Sequence, residues 1–193
     1  MVKKNTLHIS FPLMLIVCLA LLSGCARPPT EEVETAVKTI AEAKQKEADL
    51  YVEDVFKKSQ EALQRAHDLI DEKEYKEAKT AALEATRLAQ QALSMVEANR
   101  AKMLEDTEKM LLDIKPSIDE VKILAAKAFR KKVRINREDI QNFVGKWEID
   151  LITIREKLDE QDIRHAYDKL VTMQKQIKNQ KENLVSLLNQ KET

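Results

Sequence analysis

The sequence has very little glycine and few aromatic side chains: its 193 residues include 2 Gly and 4 Pro, and aromatics make up 4%. β-Sandwich and α/β folds need many tight turns, and glycine supplies the positive-φ positions of such turns, so this scarcity argues against both classes. The 33 Lys and Arg residues balance 33 Asp and Glu residues. A net charge of zero argues against a strongly basic nucleic-acid binder. The abundant residues, Ala, Glu, Lys, Leu and Gln, favour helices.

The N-terminus carries a secretion signal pattern. Lys3 and Lys4 precede an apolar run over residues 11–22, which has the length of a signal-peptide core and is short for a bilayer span. The run ends in a tetrapeptide that resembles the lipobox of bacterial lipoproteins: Leu22, Ser23, Gly24 and Cys25. The other interpretation is an uncleaved membrane anchor over residues 7–24, although Pro12 shortens its usable apolar stretch.

The lipobox resemblance implies cleavage before Cys25, so that residues 1–24 are a signal peptide and residues 25–30 a lipidated tether. It also implies a diacylglycerol and an N-acyl chain, such as palmitate, on Cys25, and no other cofactor is expected. Cys18 leaves with the signal peptide, so no thiol remains for a disulfide, a metal or nucleophilic catalysis. Ala26 after the lipidated cysteine implies sorting to the outer membrane, with the chain facing the periplasm.

From residue 30 onward, apolar residues recur in steps of three and four, which predicts amphipathic helices. We expect an all-α fold of about six helices, arranged as elongated antiparallel hairpins with coiled-coil-like packing. The predicted seams are Val55, Ser59, Ala62, Ala66 and Leu69; Ala78, Ala82, Ala85, Ala89, Ala92 and Val96; Ile140, Val144, Trp147, Leu151, Ile154 and Leu158; and Ile163, Ala166, Leu170, Met173, Ile177, Leu184 and Leu187.

Breaks between the helices are predicted from turn and capping residues. A first helix over residues 31–48 is followed by a soft junction at residues 50–54, and residues 71–74 form a tight turn. Pro116 is expected to end a third helix of residues 75–114, and Ser117 and Glu120 to form a capping box for a fourth. Asn136 can cap the fifth helix, and a turn at residues 159–161 begins the sixth. The expected domains are an alanine-rich one at 31–115 and a C-terminal one at 116–193.

A weak internal repeat relates the two halves at an offset of 88 residues. Residues 69–78 align with residues 157–166, and the apolar positions keep their register on both sides. A divergent duplication of one hairpin explains this match, and so does the general similarity of amphipathic hairpins. Both explanations stay open.

Three segments carry a second resemblance: ADLYVEDV at 48–55, ALQRA at 62–66 and EYKEA at 74–78. Over residues 33–103 the chain resembles a helical domain of unknown function from proteobacterial envelope lipoproteins. That family usually has a Gly-Asp-Tyr-like turn, where this chain has Lys73, Glu74 and Tyr75. The resemblance implies an envelope lipoprotein and no defined activity.

Few side chains point to catalysis or metal binding. After cleavage Gly145 is the only glycine, which excludes a glycine-rich phosphate loop. His67 with Asp71 at i+4, close to Asp68 and Glu72, could hold a divalent ion, but a solvated helix end is the simpler interpretation, as it is for His165. We expect no metal site and no enzyme. Trp147 falls in a predicted seam and is expected in the core.

One segment concentrates positive charge without an acidic residue. It could contact anionic headgroups, lipopolysaccharide phosphates or an acidic protein face. Alternatively, it is a cationic helix C-terminus that complements its own dipole, followed by a solvated loop. Its cations are Lys127, Arg130, Lys131, Lys132, Arg134 and Arg137.

These observations predict a non-enzymatic envelope scaffold or adaptor, held at the membrane by its lipid. The expected partners are an envelope protein or a second copy of the chain, and no nucleic acid. The alternative is a periplasmic module that binds a lipid or small molecule in a groove between the C-terminal helices near Trp147.

Overall fold

A computed structural model describes residues 27–191, and in this part of the chain it contains helices and no strand. The all-α class is therefore confirmed, whereas the elongated hairpins and their coiled-coil packing stay predictions. The helices are α1 (Thr30–Gln45), α2 (Ala48–Tyr51), α3 (Glu53–Asp71), α4 (Tyr75–Arg130), α5 (Arg137–Asp159) and α6 (Ile163–Gln190).

The prediction that Pro116 ends a helix is wrong, because α4 continues through it to Arg130. The predicted capping box is also wrong: the Ser117 hydroxyl donates to the Asp113 carbonyl at 2.9 Å, as it does within a helix. Proline removes one amide donor, and the carbonyl it leaves unpaired belongs to Leu112. Leu112 is 77% exposed, so this carbonyl lies on the solvent side of the helix. Ile114 and Ile118, buried on either side of the proline, hold the chain helical.

Residues 27–191 contain six helices, the number predicted, but only because two differences offset each other. The predicted third and fourth helices form one helix, α4, while the short helix α2 occupies part of the predicted first helix and junction. Glu47 interrupts the chain between α1 and α2 with a left-handed backbone, φ 63°.

Contacts divide the described residues into two compact units. The first unit comprises residues 27–43 and 54–91, and the second comprises residues 44–53 and 92–191. This division does not coincide with the predicted domain boundary between residues 115 and 116, which lies inside α4.

The first unit has a core made largely of alanine. Ala36, Ala66 and Ala82 are fully buried, and Ala66 and Ala82 pack with Ala81 against Val33 and Leu69. Small side chains allow close helix packing but bury little apolar area. On the surface, Lys79 pairs with Glu32 at 2.6 Å, and this hydrogen bond lowers the pKa of the Glu32 carboxyl.

The second unit has a core of larger side chains from α4, α5 and α6. Trp147 is fully buried in it, as predicted, and its indole N–H donates to Gln176 Oε1 at 3.2 Å. Two predicted seam positions are wrong by one residue: Phe56 is buried instead of Val55, and Leu188 is buried instead of Leu187. The remaining core members include Ile114, Val121, Ile140, Ile154, Leu170, Met173, Ile177 and Leu184.

The turns after α3, α4 and α5 share one backbone geometry. Each places a non-glycine residue in the left-handed region: Lys73 at φ 64°, Lys132 at φ 52° and Gln161 at φ 61°. In each turn the amide of the next residue bonds a carbonyl five positions back, at 2.8–3.0 Å, as in a Schellman motif. Glycine is the usual residue at this position, so each of these side chains strains its turn.

Candidate interaction site

The predicted basic segment forms the end of α4, the turn after it and the first residue of α5. We call residues 127–137 the basic turn. Of its six cations, five are exposed and Lys131 is half-buried. Within residues 27–191, no carboxylate pairs with Lys127, Arg130, Lys132 or Arg134. The turn therefore carries cations that are not neutralised by neighbouring side chains.

The backbone of the basic turn is fixed by hydrogen bonds. The Val133 amide donates to the Ala128 carbonyl and the Ile135 amide to the Val133 carbonyl, both at 3.0 Å. Asn136 caps α5 as predicted, since its Oδ1 accepts from the Glu138 amide at 2.9 Å. Hydrogen bonds thus hold the connection between α4 and α5 at both of its ends.

Two apolar side chains attach the basic turn to the core of the second unit. Phe129 and Ile135 both pack against buried residues of that core. The Arg137 guanidinium lies 4.3 Å from the centre of the Phe129 ring, a cation–π contact. The cations are thus presented from an ordered backbone, which reduces the entropy lost when they engage a partner.

The helix dipole accounts for only part of this charge. Lys127 and Arg130 lie in the last turn of α4, where cations are favoured. Arg137, in contrast, begins α5 at the positive end of that helix's dipole, and Arg134 lies in neither helix. Neither arginine therefore lies where a helix dipole favours a cation.

A second surface of the same unit exposes large aliphatic side chains. Leu112 and Ile123 on α4 are 77% and 65% exposed, and Ile149 and Ile152 on α5 are 65% and 58% exposed. We call these two pairs the α4 and α5 apolar faces. Leu112 and Ile123 are eleven residues apart, about three helical turns, so they share one side of α4. Ile149 and Ile152 are three apart and are likewise neighbours.

The sequence did not indicate a third group of polar contacts, which we call the junction cluster. Asn99 Nδ2 donates to the Tyr51 carbonyl and Arg164 Nη1 to the Leu50 carbonyl, both at 2.8 Å. These carbonyls lie at the end of α2, where helical partners are missing. The predicted soft junction at residues 50–54 could have indicated this cluster, because carbonyls outside a regular helix need other hydrogen-bond donors. It could not have identified those donors, which are far away in sequence.

Two arginines organise the junction cluster. Arg164 also donates to Asp168 at 2.9 Å, and this bond raises the pKa of the guanidinium further. Arg100 lies over the Tyr51 ring at 5.7 Å and pairs with Glu47 at 3.6 Å. Burial raises the pKa of the Tyr51 hydroxyl. These contacts connect residues 44–53 to α4 and α6, so the cluster holds that segment in place.

The predicted histidine positions bring no ligand set together. His67 is exposed on α3, and His165 Nδ1 lies 2.6 Å from Asp162 Oδ1 on the surface. In residues 27–191 no three His, Cys, Asp or Glu side chains are grouped so as to hold a metal ion.

Trp147 is too deeply buried to line a groove as the structure stands. A cleft of about 420 Å³ in the second unit is lined instead by Glu97, Arg100, Ala101, Leu104, Leu158, Gln161 and Ile163. Ligand binding near Trp147 stays a prediction that requires the helices to separate.

The lipidation predictions at Leu22, Ser23, Gly24 and Cys25 lie outside the described residues. None of the helices within residues 27–191 combines the length and apolarity of a bilayer-spanning segment.

The chain matches no family model, no curated protein and no solved structure. The resemblance over residues 33–103 to the envelope lipoprotein domain therefore stays a prediction.

Proposed function

We propose that the protein is a lipid-anchored lipoprotein of the bacterial envelope that acts as a non-enzymatic scaffold or adaptor. The acyl chains on Cys25 hold it at the outer membrane on the periplasmic side, and its helical surfaces hold a partner. That partner is an envelope protein or a second copy of the chain.

The anchor is supported by the position of the lipobox relative to the first helix. Residues 26–29 alone separate Cys25 from α1, which begins at Thr30. Pro28 and Pro29 stiffen this short connection, because proline fixes φ. Several acyl chains on one cysteine would bind a bilayer stably, since two lipid signals already suffice.

The observation that carries the adaptor role is the pair of apolar faces on α4 and α5. Covering one such aliphatic side chain stabilises a contact by roughly 1.5–3 kcal/mol. Four such side chains are exposed on two helices that share one core, and a protein partner that covers them would remove their apolar area from water.

One set of strains tests both parts of this proposal. Palmitate labelling and fractionation of cells producing Cys25→Ala test the anchor, with Cys18→Ala as the matched control. A photo-cross-linking residue at Asp119, between Leu112 and Ile123 on α4, tests the adaptor surface. The same residue at the exposed Lys175 on α6 is its control.

We expect Cys18→Ala to keep the label and membrane association and Cys25→Ala to lose both. We expect a discrete cross-link from position 119, weakened by Ile123→Gln, and none from position 175. A Cys25→Ala protein that is still cleaved and membrane-bound contradicts the anchor. Equal cross-linking from positions 119 and 175 contradicts the adaptor surface, and the mass of the product separates an envelope protein from a second copy.

A further inference from the structure

We propose that the basic turn binds the anionic headgroups of a phospholipid bilayer. The inference rests on the proposed function, because a lipid-anchored protein is held beside such a surface. It adds a second, non-covalent membrane contact in the folded part of the chain.

The first support is a local excess of charge in a neutral protein. Six cations lie within eleven residues and only two carboxylates, Glu138 and Asp139, follow directly. Both acids lie in the first turn of α5, where they complement that helix's dipole. Lys132 and Arg134 are exposed and have no carboxylate partner among the described residues.

The second support is how the cations are distributed. They are spread over two helix ends and the connection between them, and none of the six is buried. A spread of exposed cations suits a surface of many mobile phosphates better than a single acidic side chain, which requires convergent donors.

The third support is the apolar residues between the cations. Val133 and Ile135 alternate with Lys132 and Arg134 and are half-buried, so part of each remains accessible. Cations beside apolar side chains match the boundary between headgroups and acyl chains. An acidic protein face is the competing partner, and its binding would not require phospholipid.

The experiment uses the full chain held in phosphatidylcholine nanodiscs and mixed with vesicles. One set of vesicles contains phosphatidylglycerol and phosphatidylcholine in equal parts, and the other contains phosphatidylcholine alone. Co-flotation with the vesicles measures membrane binding by the basic turn. Retention in the nanodiscs independently measures membrane attachment by the lipid anchor.

The variant is Lys132→Gln with Arg134→Gln. Glutamine is tolerated at position 132, because Gln161 occupies the equivalent left-handed position of the turn after α5. The control is Lys115→Gln with Lys175→Gln, which removes the same charge from two exposed positions outside the basic turn. Circular dichroism establishes that both proteins remain helical.

We expect binding to the phosphatidylglycerol vesicles only, and its loss at about 1 M salt, where the screening length is about 3 Å. Removal of two turn cations should weaken binding about 25-fold, since each is worth about fivefold near an anionic surface. The control should change it by less than about twofold. Absence of binding, or equal weakening by both double variants, overturns the proposal. Loss from the nanodiscs with vesicle binding intact would instead count against the anchor alone.

Discussion

The helix pair α3–α4 and the helix pair α5–α6 have turns of the same backbone geometry. They differ in the size of the side chains that they bury. At an offset of 88 residues, the end of α3 at Asp71 corresponds to the end of α5 at Asp159. The start of α4 at Tyr75 corresponds to the start of α6 at Ile163. The left-handed residues, Lys73 and Gln161, also correspond, as do the backbone hydrogen bonds around them.

Buried positions correspond along the helices, whereas side-chain size does not. The first pair buries Ser59, Ala66, Ala82, Ala85 and Ala89 where the second buries Trp147, Ile154, Leu170, Met173 and Ile177. The helical period and the turn therefore determine which positions face inward, and side-chain volume determines how much each stabilises. The turn after α4 has the same geometry at Lys132, so the shared turn alone does not establish a duplication.

The largest expected effect comes from exchanging side-chain size at one corresponding pair. Leu170→Ala should destabilise the protein by roughly 2–5 kcal/mol, because it leaves a cavity in a fully buried site. Ala82→Leu should destabilise by roughly 1–3 kcal/mol for the opposite reason, overpacking. Urea unfolding followed by circular dichroism measures both, and Trp147 fluorescence follows the second unit by itself.

Two controls separate size from position. Leu170→Met roughly conserves volume and should cost less than about 1.5 kcal/mol. Ala82→Ser leaves the size nearly unchanged, as the buried Ser59 illustrates with its hydroxyl donating to the Phe56 carbonyl. If Ala82→Leu stabilised the protein, the alanine core would contain unfilled space, and the contrast between the two helix pairs would be wrong.

Much of the fold was predictable because its signals are local. The three-and-four spacing identified most of the core, including Trp147, Leu170 and Ile177. The two turns that define the repeat and the Asn136 cap also depend on residues close together in sequence. The basic turn was found for the same reason, since its charge is contiguous.

The remainder depends on partners that are distant in sequence. The local rule that proline disfavours helix failed at Pro116, because Ile114 and Ile118 are held in a core with residues of α5 and α6. The junction cluster joins Leu50 to Arg164, 114 residues later. Likewise, the helical period predicts on which side of α5 Ile149 lies. Only the packed structure reveals that this large aliphatic side chain is left exposed.

A smaller effect on stability tests whether the turns after α3 and α5 are equivalent. Lys73→Gly and Gln161→Gly should each stabilise by about 0.5–1 kcal/mol, because glycine adopts the left-handed region without steric cost, although it is also freer when unfolded. Thermal unfolding of each variant measures the change.

The control for the turns is Glu160→Gly, one residue before Gln161. Glu160 has a right-handed backbone, φ −75°, so glycine there should destabilise by about 0.5–1 kcal/mol. If Lys73→Gly stabilised the protein and Gln161→Gly did not, contacts of the Gln161 side chain would offset its backbone strain. The two turns would then not be equivalent.

The smallest expected difference is a pH dependence of stability that arises only at the turn after α5. Asp162 corresponds to Glu74, but only Asp162 has ionic partners among the described residues. His165 lies at 2.6 Å and Lys157 at 3.4 Å. Burial raises the pKa of the Asp162 carboxyl, but the hydrogen bonds from His165 and Lys157 outweigh it, so the pKa is lowered overall.

Because the folded-state pKa is lowered, Asp162 contributes stability above its unfolded pKa of about 3.9 and loses it as pH falls through the folded-state value. Asp162→Asn should therefore cost about 0.5 kcal/mol at neutral pH, the size of a surface ion pair, and the difference should vanish in acid. Glu74→Gln should change stability little at any pH. Urea unfolding at neutral pH and below pH 3.9 measures both variants against the wild type. A constant penalty for Asp162→Asn across this range would mean that the side chain acts through geometry at the α6 terminus and not through its charge.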